Sequence, residues 1–298
     1  MFIIKNKTFF LTLSLVVLVL SVLSVSKFGL KKSIDFTGGA KVIFDVSGVG
    51  APSEEEIKNS LTTNFGEVRL SPIGTSSYQA ILRDLKEEDY PKLNTALRLN
   101  ASSTVNITSF AMTGPTISAE IVKSAIWGVV LVVLAIILFI WFSFRGVSYP
   151  VSSFKYGLIT IATLVHDIAI PTGVFAYLGY AHGVEVDALF IVAILTVLGI
   201  SISDTIVVFD RIRENLKKAS KNATFEEVVG KSLSETFVRS IATSLAVIIV
   251  LLSLYYYGPD STKYFALTLT IGMFVGTYSS IFVASPLLVL ASKYWRAK

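Results

Sequence analysis

The chain has no cysteine among its 298 residues and only two histidines, His166 and His182. The first absence excludes disulfide staples and thiolate-held metals. The second argues against a histidine-built metal site. Charge is scarce too, at 16% of residues, where soluble domains carry about 25%. Hydrophobic residues make up 53% of the chain, and the mean hydropathy is +0.68. This balance describes a polytopic membrane protein. The net charge of +5 is modest, so the placement of the cations says more than their number.

Residues 8–26 form an apolar run close to the roughly 20 residues needed to span a bilayer. Lys5 and Lys7 precede it and set the N-terminus in the cytoplasm. Ser24-Val25-Ser26 faintly suggests a signal-peptidase site, but the run exceeds the usual 7–15 residues of a signal core. An uncleaved anchor is the expected reading.

Residues 29–116 differ in kind, being polar, charged and broken into short alternating runs. Residues 40–46 read as a strand. Ser53 with Glu56 makes a capping box that opens a helix to about Asn64, ended by Gly66. Residues 67–73 and 78–83 make a hairpin across Gly74 to Ser77, a second helix covers 87–99, and a last strand covers 104–112. The order β-α-β-β-α-β is the ferredoxin-like pattern. Its carboxylates read as helix caps and solvated faces, and no catalytic constellation stands out.

Five further apolar segments lie at about 119–142, 155–178, 187–209, 237–257 and 264–291. Arg145 and Lys155 flank the second and third, whereas the connection 179–186 has no Lys or Arg. Arg211, Arg213, Lys217, Lys218, Lys221 and Lys231 follow the fourth; 255–262 has no cation, and Lys293, Arg296 and Lys298 close the chain. Basic and non-basic connections alternate as six crossings require, with both termini cytoplasmic. The expected organisation is therefore a first span within 1–28, an extracytoplasmic α+β domain over 29–116, and five spans over 117–298 with a cytoplasmic loop at 210–236.

His166, Asp167, Asp204 and Arg239 are ionisable residues inside these spans. A carboxylate at the centre of a membrane helix costs about 2.5–3.5 kcal/mol on insertion scales, so it is paired, neutralised or functional. Asp204 has no cation along its own helix until Arg211. Arg239 enters the fifth span at a matching depth from the same side, so a cross-helix pair is geometrically reasonable; snorkelling to the headgroups is the alternative for that arginine. Thr196, Gly199, Ser201, Ser203 and Thr205 are small or hydroxyl residues that favour close helix packing and hydration around Asp204. His166 and Asp167 precede Pro171 and Gly173, which loosen backbone bonding; His166 also suits a neutral group bonded to a carbonyl. Asp210, Arg211 and Arg213 read as a charged interfacial end. These readings make Asp204 a candidate for proton or cation coupling.

Several stretches resemble one family. They are Ile34-Asp-Phe-Thr-Gly-Gly39, Thr113-Gly-Pro-Thr-Ile-Ser-Ala-Glu120, Val165-His-Asp167, Ser203-Asp-Thr-Ile-Val-Val-Phe-Asp-Arg-Ile-Arg-Glu-Asn215 and Ser234-Glu-Thr-Phe-Val-Arg-Ser-Ile-Ala-Thr-Ser244. In order and separation they resemble the SecF branch of the bacterial SecD/SecF family, within the resistance–nodulation–division superfamily. The resemblance implies no enzyme activity and no cofactor, with H+ as coupling ion and Na+ as the alternative. It implies SecD as a separate chain, the SecYEG translocon, YajC and YidC as partners, a translocating preprotein as cargo, and the bacterial inner membrane as location. It also implies that Asp204 and Arg239, with Asp167 and His166, belong to an ion path. The motif Asp35, Phe36, Thr37, Gly38 and Gly39 reads as a hinge, since paired glycines permit backbone angles closed to other residues.

Three other functions compete. A half-transporter for a small molecule or lipid shares the membrane charges but usually carries larger external domains. An intramembrane aspartyl protease would need Gly-x-Gly-Asp, whereas Ile200-Ser-Ile-Ser203 precedes Asp204. A structural partner without ion coupling would be indifferent to loss of Asp204.

Overall fold

Backbone groups removed from water must bond within their own segment, and long apolar runs therefore close into helices. In the computed structural model, which describes residues 2–48, 51–73, 76–83, 85, 87–97, 103–144, 151–220 and 222–294, six helices are long and apolar enough to cross a membrane. Gly74, Thr75, Leu99, Arg145, Lys221, Arg296 and Lys298 lie outside the described residues. The spans are Lys7–Phe28, Pro115–Phe144, Ser153–His182, Ala188–Lys218, Phe225–Tyr257, and a sixth begun by Asp260–Ser279. That sixth span passes through a π-helical turn at Ser280–Ala284 and resumes as Ser285–Tyr294.

Helix overruns the apolar limits, most clearly across the expected loop at 210–236. The fourth span runs on to Lys218, where charges one turn apart support it: Arg213 with Asp210 at 2.5 Å and Lys218 with Glu214 at 2.6 Å. The fifth begins at Phe225 because Thr224 and Glu227 form a capping box, with the Thr224 amide donating to Glu227 at 2.9 Å. Only a short connection remains between them. Hydropathy marks where a span enters lipid; caps and ion pairs mark where its helix ends.

The α+β region is a four-stranded antiparallel sheet of β1 (Gly39–Gly48), β2 (Val68–Pro72), β3 (Ser77–Leu82) and β4 (Ser103–Thr113), in the order β2-β3-β1-β4. Helices α1 (Glu54–Phe65) and α2 (Tyr90–Leu97) complete it. This is the ferredoxin-like order read from the sequence. The capping box is present, with the Ser53 amide donating to Glu56 at 2.8 Å. Alternation places Val42, Phe44, Ala80 and Leu82 in a core with Ile57, Leu61, Leu93 and Leu97. The second helix is shorter than 87–99, since Glu87–Asp89 forms a 3-10 turn ahead of Pro91. Gly38 and Gly39 have φ of 72° and 112°. A side chain on Gly39 would also bring its Cβ to 2.5 Å from the Leu82 carbonyl, so the entry to β1 requires glycine on two counts.

The chain divides into two compact units. One comprises Lys31–Ile126 with Glu185–Ala188, so it takes in the start of the second span and the four residues that lead into the fourth. The other holds the rest of the spans, around a core that includes Tyr156, Leu198, Phe209, Ile212, Val229, Leu233 and Leu288. The apolar faces of the first and second spans stay exposed, as at Leu20, Leu131 and Leu138. Surface of this kind suits lipid or the helices of another chain.

Candidate functional site

Three spans bring their polar groups together inside the membrane unit. Asp167, on the third, is fully buried. Its Oδ1 lies 2.9 Å from His166 Nδ1. Its Oδ2 accepts from Ser201 Oγ on the fourth span and from Ser279 Oγ on the sixth at 2.7 Å. Pro171 adds to this polarity, because it has no amide to offer the Asp167 main-chain carbonyl four residues back. Gly173 has a separate use: a Cβ there would meet Ser21 Cα on the first span at 2.5 Å, and Ser24 Oγ donates to the Gly173 carbonyl at 2.8 Å.

Asp204 is half-buried on the fourth span. Thr277 Oγ1 on the sixth donates to its Oδ2 at 3.4 Å and is itself bonded to Ser244 Oγ on the fifth. Both groups beside this carboxylate are neutral hydroxyls. A hydroxyl can donate to a carboxylate and accept from a carboxylic acid, so either state of Asp204 keeps a partner. Asp167 is held differently, by two hydroxyl donors and the His166 ring at once.

The sixth span supplies both sites from one stretch. Thr277 serves Asp204, Ser279 serves Asp167, and Ser280 Oγ pairs with Thr205 Oγ1 at 2.8 Å. Gly272 and Gly276 bring this stretch close to the fourth span. A Cβ on Gly272 would collide with the Val197 side chain, and one on Gly276 would lie 3.0 Å from Ser201 Cβ. The π-helical turn opens immediately after, at Ser280; such turns are frequent at functional positions.

The residues expected around Asp204 divide by helical face. Ser201 and Thr205, four apart, turn inward, but toward Asp167 and Ser280. Thr196, Gly199 and Ser203 share a different face and are exposed, and among the described residues no other part of the fold lies within 4 Å of a Cβ on Gly199. Arg239 is exposed and makes no ion pair among the described residues. Asp204 therefore bonds to Thr277, where sequence reasoning proposed a guanidinium. His166 Nδ1 meets Asp167 instead of a carbonyl, and its Nε2 is buried with no hydrogen-bond partner among the described residues. Asp210, Arg211 and Arg213 do form the charged end of their helix: Arg211 pairs with Glu214 at 2.5 Å and with Glu235 on the fifth span at 2.6 Å.

Sequence reasoning missed Thr277, Ser279, Ser280, Gly272 and Gly276. The signals were present as a Gly-x-x-x-Gly spacing and a hydroxyl run within an apolar span. Among the described residues no cluster of three or more His, Asp or Glu could hold a metal ion. In the α+β unit Asp35 lies in a single turn, Ile34–Thr37, where the Ser33 hydroxyl accepts from its amide at 3.2 Å.

The family described as protein export membrane protein SecD/SecF, C-terminal, matches residues 93–294. A protein translocase subunit SecF from Thermobaculum terrenum is 39% identical, over 94% of this chain and 90% of that protein. One from Anaerolinea thermophila is 33% identical, over 99% of this chain and 95% of that protein. Among solved structures, SecDF from Thermus thermophilus, described as a translocon-associated membrane protein, matches with a TM-score of 0.81 and 29% identity over 97% of this chain. A SecDF structure in a super-membrane-facing form matches with a TM-score of 0.64 and 27% identity. The chain spans 38% of the length of either solved protein.

Proposed function

This chain belongs to the SecD/SecF protein-export family and is a multi-pass membrane protein; from that premise we propose that it is a SecF subunit whose membrane carboxylates couple ion flow to preprotein export. It works beside a separate SecD chain and the SecYEG channel in the bacterial inner membrane, with YajC and YidC as further partners. Both termini lie in the cytoplasm and the α+β domain outside, an orientation supported by the alternation of basic and non-basic connections. The exposed apolar faces of the first and second spans offer surface for partner helices.

One observation carries the coupling. Asp204 sits half-buried among the spans with neutral hydroxyls at its side, on a helix whose first residue belongs to the α+β unit. A carboxylate so placed can take up and give up a proton without losing its hydrogen bond, and a change in its charge changes its attraction for Arg239. One charge crossing the whole membrane releases about 2.3 kcal/mol per 100 mV, which is the drive available for motion. Asp167, with the Ser201 and Ser279 hydroxyls donating to it, forms with His166 the fixed polar end of the pathway. H+ is the expected ion and Na+ the alternative.

The test is export of a preprotein into vesicles containing SecYEG, SecD and this chain, with and without a proton gradient. Asp204→Asn should abolish the stimulation by the gradient and leave gradient-independent export in place. Full stimulation in that variant would refute the coupling. Absence of a SecD chain from the protein purified from membranes would refute the assembly.

A further inference from the structure

Residues 185–188, which lead into and begin the fourth span, are bound into the α+β unit. Val186 pairs with Lys32 as an isolated parallel bridge. The Ser33 amide donates to the Val186 carbonyl at 2.9 Å, and the Val186 amide donates to the Lys31 carbonyl at 2.7 Å. Asp35 Oδ2 accepts from the Ala188 amide at 2.9 Å. Glu185 lies 3.8 Å from Lys41 Nζ on β1 and 3.8 Å from Arg69 on β2, with its side chain only 6% exposed. Among the described residues neither of its carboxylate oxygens has a hydrogen-bond partner.

Each contact has a clear physical use. Ala188 is the first residue of the fourth span, and the first amides of any helix lack acceptors within it. Asp35 supplies one from 153 residues away, at the end where the helix dipole favours a negative group. Asp35 is itself held by the turn around Ser33, where Thr37 Oγ1 also donates to the Ser33 carbonyl at 3.1 Å. Glu185 lies against two strands, so the segment packs on the sheet and not on a single flexible loop.

We propose that Asp35 and Glu185 are positioning residues of a fixed joint, which binds residues 185–188 into the α+β domain so that the first turn of the Asp204 helix follows the domain whenever it moves. The domain is already continuous with the first and second spans by chain connectivity. The joint adds the fourth span to its direct connections and gives Asp35, at the start of the expected hinge motif, a clamping role. This goes beyond the export reading and is independent of which ion is coupled.

The chain has no cysteine of its own, so Lys32→Cys with Val186→Cys places the only two thiols at the paired bridge, a spacing that neighbouring strands allow a disulfide to close. Oxidation of the intact chain in SecD- and SecYEG-containing vesicles should cross-link it, and the export rate should be the same oxidised as reduced. Failure to cross-link overturns the joint. So does a loss of export on oxidation that reduction restores, because the segment would then have to leave the domain during work. Failure of the export reading is distinguishable, since the reduced pair would then match vesicles lacking the chain while cross-linking still reports on the joint. In the cross-linking pair, Asp35→Ala and Glu185→Lys should each lower the yield. Asp35→Asn keeps an acceptor for Ala188 and should restore it; equal yields for the Ala and Asn variants would remove Asp35 from the joint.

Discussion

Ser279 Oγ donates to Asp167 Oδ2 at 2.7 Å, joining the sixth span to the most deeply buried carboxylate among the described residues. Two residues earlier, Thr277 reaches Asp204. One short stretch of the sixth span thus governs both membrane carboxylates, and changes there separate their roles.

Ser279→Ala removes a donor from a buried carboxylate and should destabilise the protein by about 1–3 kcal/mol. Thermal unfolding in detergent reads this as a lowered Tm. An unchanged Tm would mean that Ser201 and His166 suffice to hold Asp167.

Asp204→Asn keeps an oxygen that can accept from Thr277, so its Tm should stay close to that of the parent protein. Its gradient-driven export should be lost. The two measurements together separate a coupling defect from a folding defect.

Gly272→Val forces branched carbons into the Val197 side chain and should cost at least about 1–3 kcal/mol, as overpacking does. Gly199→Ala, where nothing lies within 4 Å, should cost nothing measurable in the same unfolding assay. Equal effects at both positions would contradict the close approach of the fourth and sixth spans.

Burial pushes the Glu185 carboxyl above the usual carboxylate range, against the opposing pull of Lys41, Lys31 and Arg69; Asp187 adds to the rise. Arg69 also lines a cleft with Lys32, Glu67 and Arg83. The docked segment therefore binds a proton more tightly than a released one. Docking should strengthen as pH falls through the raised value, and stop strengthening below the ordinary Glu value of 4.5. Amide exchange at Val186 and Ala188, referenced at each pH to an unstructured peptide, should slow accordingly. Glu185→Gln should flatten that response; the same slope in the variant would assign the titration elsewhere.

The sequence by itself determined what depends on neighbours along the chain. Six spans, the β-α-β-β-α-β order, the Ser53–Glu56 box and the special backbone at Gly38 and Gly39 follow from apolar length, period-two alternation, caps three residues apart and steric freedom. Each is a local rule. Even the overrun of helix past residue 210 was legible in charges spaced three and four apart. The tertiary structure alone decided which groups meet. Asp204 and Thr277 stand 73 residues apart, Asp167 and Ser279 112, and Asp35 and Ala188 153. No period relates such positions. A helix's residues share faces by rotation, so Ser201 and Thr205 turned inward while Ser203 turned out, and only the packing of the glycines on the sixth span chose what they would face.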